Sequence, residues 1–243
     1  MKSSKTDILI GAVAVAVALA SAVTTLSFGG PTLFSEAGTS RQSGDLVGRA
    51  RVIDGDTIEI GGQRIRLEGI DAPETAQVCR GTYRSRWRAG HAATTALRKR
   101  IGERLVVCRG HKRDRYRRLI ATCYVGGHDI NREMVETGNA WAFRKYSTTY
   151  VDAEATARSA RAGIWSAECQ TAWDYRARRW AAGQTKAPEG CPIKGNISRA
   201  GKIYHPPWSP FYGRTKISPE RGERWFCSEK EALDAGWRPA GSA

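Results

Sequence analysis

Five charged side chains, Asp56, Arg66, Asp71, Glu74 and Arg118, have the types and spacing to act on a phosphodiester. Asp56 and Asp71 supply hard oxygen ligands of the kind Ca²⁺ prefers. Glu74, three residues beyond Asp71, can bring another carboxylate near a metal without filling the same coordination position. Arg66 and Arg118 carry planar guanidinium groups suited to a phosphate that gains negative charge as it is attacked. Each cluster also has a plainer reading. Asp54-Gly55-Asp56-Thr57 makes a good tight turn. Asp71-Ala72-Pro73-Glu74 reads as a helix entrance, with Asp71 capping and Pro73 early. Asp114-Arg115-Tyr116-Arg117-Arg118 reads as a solvated loop. Taken together, the three clusters supply what metal-assisted phosphodiester hydrolysis needs.

The elements that must position these residues follow from local patterning. Short β-like stretches at 51–53, 57–60 and 64–68, with turns at 54–55 and 61–62, predict a β meander whose folding begins near Leu46. Ala92, Ala93, Ala96 and Leu97 recur at helical spacing within 84–101, and Gly102 is placed to end that helix. Strands at 105–108 and 119–125 flank a charged connection. Further helices are expected at 131–137, stopped by Gly138, and at 149–162, stopped by Gly163. Trp173, Tyr175 and Trp180 stand among Arg176, Arg178 and Arg179, which reads either as a basic surface with stacking rings or as a packed terminal helix. There is no internal repeat.

The motifs Val52-Ile53-Asp54-Gly55-Asp56-Thr57, Arg66 to Thr75 (RLEGIDAPET) and Asp114-Arg115-Tyr116-Arg117-Arg118 resemble the micrococcal nuclease (thermonuclease) family, in that family's order and over roughly 47–166. The resemblance implies an α+β fold: a five-stranded oligonucleotide-binding β-barrel with about three packed helices. It implies Asp56 and Asp71 as calcium carboxylates and Ala72 as a position that gives its backbone carbonyl. Glu74 becomes the residue that positions or deprotonates the attacking water, and Arg66 and Arg118 become the phosphate clamps. Tyr116 matches a position near the bound nucleotide, and Tyr146 lies in a segment near that pocket. One departure stands out: Arg117 occupies a position where the family commonly has Gly. The implied cofactor is Ca²⁺ and the implied substrate is DNA or RNA. A relative that keeps the barrel but only binds nucleic acid or another polyanion is the rival reading.

The rest of the chain sets the context. Its 243 residues carry 39 Lys+Arg against 24 Asp+Glu, a net charge of +15, which favours a polyanionic partner, nucleic acid or anionic lipid. No protein partner is inferred. Lys2 and Lys5 precede an uncharged apolar run over 8–23, the pattern of an export signal. Thr24, Thr25, Leu26 and Phe28 lengthen that run toward a membrane span, so a cleaved signal peptide and a membrane anchor both stay open. Six cysteines suit an oxidising compartment. Cys108 and Cys123 lie on the two strands beside the basic connection, and Cys191 and Cys227 bracket the last segment. Cys79 and Cys169 pair only by elimination or remain free thiols. With no Cys-x-x-Cys, zinc is weakly supported, though Cys191, His205 and Cys227 offer an unusual set. The stretches at 193–197, 202–205 and 225–232 resemble a sunset domain, and 235–239 resembles small metal-binding modules of DNA repair proteins. The expected organisation is a signal peptide or anchor over 1–28, a linker over 29–45, the barrel over 46–168, a linker or terminal helix over 169–190 and a small cysteine-containing module over 191–243.

Overall fold

A computed structural model describes residues 44–81 and 85–240. The expected signal or anchor segment over 1–28, and the linker up to residue 43, lie outside the described residues. Alternating burial drives the first three strands, β1 (Leu46–Val52), β2 (Thr57–Ile60) and β3 (Gln63–Leu67), into an antiparallel meander with Val52 opposite Ile58 and Thr57 opposite Arg66. Gly61 and Gly62 both have positive φ, as the two-residue hairpin turn between β2 and β3 requires. The short bridges β4 (Ile70–Asp71), β5 (Cys79–Arg80) and β6 (Arg86–Trp87) lead to α1 (Ala89–Ile101). Strands β7 (Leu105–Arg113) and β8 (Leu119–Val125) follow, then β9 (His128–Asp129), α2 (Ile130–Glu136), β10 (Trp141–Ala142) and α3 (Val151–Ser159).

The main sheet runs β3-β2-β1-β7-β8-β9, and a parallel pairing of β3 with β8, Arg66 opposite Ile120, closes five of its strands into a barrel. This is the α+β barrel expected. Its interior holds Ile58, Ile65, Leu67, Val106, Ala121 and Val125, capped by Ala93, Leu97 and Ile101 of α1 and by Ile130, Met134 and Val135 of α2. Strand β8 buries every second residue without exception.

Three details differ from expectation. Helix α1 begins at Ala89, five residues late, because Arg86–Trp87 pairs with Cys79–Arg80 instead of entering the helix. Strand β7 continues to Arg113, so much of the expected charged connection is a strand, with a bulge between Arg109 and Lys112. Five α-helices stand among the described residues: α4 (Ala172–Gln184) is the terminal helix that one of the two readings offered, and α5 (Glu229–Asp234) was not expected.

Beyond α4, β11 (Ile193–Ser198), β12 (Gly201–His205), β13 (Arg224–Phe226) and β14 (Arg238–Pro239) form a second sheet in the order β13-β11-β12-β14. It encloses a separate apolar cluster of Ile193, Tyr204, Phe226, Ala232 and Trp237, with Trp180 of α4 packed against it. All the cysteines pair, as Cys79–Cys169, Cys108–Cys123 and Cys191–Cys227. That pairing removes the zinc alternative, since Cys191 and Cys227 have no thiolate to offer, and His205 is engaged by Asn196 Oδ1 at 2.8 Å and Ser209 Oγ at 3.3 Å. Trp237, in the stretch likened to a metal-binding module, is core. No helix among the described residues is long and apolar enough to cross a membrane.

Candidate active site

The turn between β1 and β2 organises itself. Asp54 Oδ1 accepts the Asp56 backbone N–H at 3.1 Å, and Ile53 donates its N–H to the Thr57 carbonyl at 2.9 Å. This is the local Asx chemistry of the tight-turn reading. It also turns the Asp56 carboxylate inward, where Oδ2 accepts from the Ala72 backbone N–H at 2.8 Å and Oδ1 from Thr57 Oγ1 at 3.2 Å. Ala72 is buried against Asp56, and no side chain fits at Gly55, where a Cβ would meet those of Ala72 and Ala93 at 2.7 and 2.9 Å. Arg66, opposite Thr57 across the hairpin, pairs with Asp56 through Nη1 and donates from Nη2 to Asp71 Oδ1 at 2.9 Å and the Ile70 carbonyl at 3.2 Å. One guanidinium therefore joins the two aspartates.

The segment after Asp71 is not the helix entrance that its composition suggests. Buried Gln77 folds it into a turn, accepting the Glu74 N–H at 3.1 Å through its side chain, donating its own N–H to the Glu74 carbonyl at 2.7 Å, and reaching the Gln170 carbonyl with Nε2 at 2.6 Å. The start of α1 presses on this turn so closely that a Cβ at Gly90 would lie 1.9 Å from the Glu74 carbonyl oxygen. Glu74 ends up beside Asp71, and both meet Arg176 of α4. Arg176 Nη2 and Nη1 lie 2.7 and 3.2 Å from Asp71 Oδ2 and Oδ1, and Nη1 donates to Glu74 Oε1 at 2.7 Å. Burial pushes the Glu74 carboxyl up to about 7, even with Arg176 beside it pulling it down. Burial likewise raises half-buried Asp54, against the pull of Arg66 and Arg118, and lowers Arg66, against Asp71.

The connection from β7 to β8 is a turn wound on Asp114. Its Oδ1 accepts the backbone N–H groups of Tyr116 and Arg118 at 2.9 and 3.0 Å, and its Oδ2 accepts from Arg118 Nε at 2.7 Å. Arg118 points toward Thr57, with Nη1 at 3.4 Å from Oγ1, and its guanidinium lies 5.1 Å from the centre of the Tyr116 ring. Arg117 adopts φ 64°, the left-handed conformation that explains a preference for Gly there. Tyr116 donates to Glu229 Oε1 of α5 at 2.6 Å, and Tyr204 donates to the other oxygen of Glu229 at 3.1 Å. Burial and that carboxylate together push both phenol groups up. Tyr146, 71% exposed, stands at the rim with its ring edge-on to Phe143 at 4.9 Å.

All these groups line one cleft of about 1480 Å³, to which the barrel brings Asp56, Glu74 and Arg118, and the later residues bring Arg176, Trp180 and Trp208. The volume exceeds the roughly 300–1,000 Å³ of small-molecule pockets and suits an extended polymer. Of the residues singled out from sequence, Asp56, Arg66, Asp71, Ala72, Glu74, Tyr116, Arg118 and Tyr146 all line it. Arg176 and Glu229 were not singled out. Arg176 showed only as one of several arginines on an aromatic-rich helix, and Glu229 only within the 225–232 stretch likened to a sunset domain, where α5 begins.

The family model described as staphylococcal nuclease homologue matches residues 64–167. The succinoglycan biosynthesis protein ExoI of Rhizobium meliloti (strain 1021) is 40% identical over 137 residues, 55% of this chain and 72% of that one. The chain belongs to the staphylococcal nuclease family. Other relatives carry nuclease descriptions: an uncharacterized endonuclease of Escherichia coli O157:H7 is 35% identical over 144 residues, 56% of this chain and 88% of that one. An uncharacterized endonuclease of Haemophilus influenzae is 31% identical over 123 residues, 48% of this chain and 64% of that one. Within the staphylococcal nuclease match lie Arg66, Asp71, Glu74, Tyr116, Arg118 and Tyr146, with Asp56 just before it. A second family model, described as ArfC, matches 176–239 and so begins at Arg176, inside α4. It takes in the small module that resembles a sunset domain.

Proposed function

We propose that this member of the staphylococcal nuclease family is an exported, calcium-dependent nuclease that hydrolyses phosphodiester bonds in DNA or RNA. The observation that carries the reading is the single guanidinium of Arg66 joining Asp56 to Asp71, with Glu74 and Arg118 in the same cleft. Among the described residues no three His, Cys, Asp or Glu side chains group to hold an ion, so an ion here would draw on two aspartates, the Ala72 carbonyl, water and substrate oxygens. That donor set, all oxygen and loosely defined, suits Ca²⁺ better than a softer or stricter metal.

In this reading Asp56 and Asp71 would hold the ion, which would supply positive charge against the phosphate under attack. Arg66 and Arg118 bind the phosphate oxygens and stabilise the charge that builds on them. Glu74 takes the proton of the attacking water, and a carboxyl pKa pushed up to about 7 suits a base working near neutrality. Tyr116 and Tyr146 border the nucleotide, and the barrel over 46–168 acts with the module over 191–243 appended through α4. Three disulfides support an oxidising compartment and hence export. A non-catalytic polyanion binder on the same barrel would share the charge but not the chemistry. The test is cleavage of a labelled oligonucleotide by the purified protein with Ca²⁺ and then with chelator. Metal-dependent cleavage is the expected result, and binding without cleavage at any Ca²⁺ concentration would contradict it.

A further inference from the structure

Arg176 comes from outside the matched nuclease segment, yet it sits in the middle of the candidate metal site. Its delivery there is built, not incidental. Helix α4 is capped by Thr171, whose hydroxyl accepts the Asp174 N–H at 3.3 Å. Just before it, the Cys79–Cys169 disulfide and the hydrogen bond from Gln77 to the Gln170 carbonyl tie the chain to the very turn that carries Glu74. Trp173 fixes the helix against Trp141 and Phe143, with ring centres 6.1 and 5.6 Å apart. The guanidinium then spreads over both oxygens of Asp71, whose side chain is 1% exposed, and over one oxygen of Glu74.

Arg66 touches only Oδ1 of Asp71, so Oδ2 has Arg176 as its cation. A buried carboxylate is costly without enough counter-charge, and Arg176 gives Asp71 a second guanidinium beside that of Arg66. Asp71 accepts three guanidinium donors, two on Oδ1 and one on Oδ2, so the site left for an ion lies on Oδ2, directly beside the charge of Arg176. The two cations cannot share it on equal terms.

We propose that Arg176 is a positioning residue that holds Asp71 and Glu74 as an internal cation and competes with the divalent ion for Asp71. The segment beginning at α4 thereby sets the metal concentration at which the nuclease site loads. The inference rests on the proposed role of Asp71 as a metal ligand. Arg176 opposes the ion by its charge and by holding both Asp71 oxygens and Glu74 Oε1 in their present orientation.

The test is calorimetric titration of the purified full-length protein with CaCl₂ alone, without substrate, alongside thermal unfolding with and without the ion. Arg176→Gln is expected to tighten calcium binding at least about tenfold, since Glu74 loses its counter-charge and Asp71 keeps only Arg66. Its metal-free form should melt lower than wild type, and its gain in melting temperature on adding Ca²⁺ should be larger. Arg176→Lys, which keeps the charge but loses the two-donor fork, should fall between the two. If the Gln variant does not fold, the Lys variant must still bind Ca²⁺ several-fold tighter than wild type. Equal or weaker calcium affinity in these variants overturns the inference and leaves the nuclease reading standing. Absence of calcium binding by wild type and variants alike overturns the metal chemistry and this inference with it.

Discussion

The barrel and the segment after residue 170 line the same cleft, but they reach it by different kinds of folding. The barrel's site residues sit on turns that their own side chains wind: Asp54 organises the turn that aims Asp56, and Asp114 organises the one that carries Tyr116 and Arg118. Arg176 and Glu229 have no such local device aiming them into the cleft. They arrive because a disulfide, a helix cap and a second apolar cluster hold α4 and α5 where they are. Locally wound sites leave a motif in the sequence; sites assembled by tertiary packing leave almost none. Variants in the two regions should therefore fail in different ways.

The largest effect belongs to the barrel. Glu74→Gln keeps the shape of the side chain and removes its basicity, so single-turnover cleavage should fall about 10²- to 10⁴-fold with the fold intact. Because the carboxyl is raised to about 7, it is protonated at lower pH, and the wild-type rate should fall as pH drops through neutrality. The Gln variant should lack that limb. Unchanged cleavage, or an unchanged pH profile, would remove Glu74 from the chemistry.

Next come the guanidinium groups. Arg66→Lys and Arg118→Lys keep the charge but cannot present two fixed donors, and about ten- to hundredfold slower turnover is expected. Arg66→Lys should be the worse, because Arg66 also joins Asp56 to Asp71. Equal, wild-type rates in both would mean that neither clamps the phosphate.

The later segment should respond more gently. Glu229→Gln removes a negative charge beside Tyr116 and keeps one acceptor oxygen, while its amide NH2 now donates to the other phenol's oxygen. The KM for an oligonucleotide should fall by about two- to fivefold at low salt, with kcat unchanged, since a single charge in a partly solvated cleft is worth on the order of 1 kcal/mol. A matching loss in kcat would show that Glu229 belongs with the catalytic groups. The smallest effect is on stability alone. Arg117→Gly relieves a left-handed residue, and chemical denaturation should show a gain of up to about 1 kcal/mol. A loss of stability would mean that the Arg117 side chain contributes more than its backbone strain costs.

The same contrast explains what could be read in advance. The meander, the antiparallel strands around 105 and 119, and helices near 131 and 149 follow from alternation and helical spacing, which are local, while the closed barrel was implied only by the resemblance. Boundaries set by distant partners were not legible: Arg86–Trp87 pairs with a strand tied to residue 168, and β7 runs on to Arg113 because β8 offers it a partner. At the site, every residue in a motif lies in the cleft. Arg176 was visible only as one of three arginines on α4, and which of them faces Asp71 depends on how the helix is docked.

Asp56 and Asp71 are proposed to form a metal-dependent hydrolytic site rather than a polyanion-binding surface. The most direct test follows one fluorescent single-stranded oligonucleotide, with binding read by anisotropy and cleavage by product formation, through a Ca²⁺ titration of wild type and Asp71→Asn. Wild type should cleave only with the ion and stop on chelation, and Asp71→Asn should bind within a few-fold of wild type while cleaving at least about a hundredfold more slowly. Tight binding by wild type without cleavage at any Ca²⁺ concentration would contradict the claim.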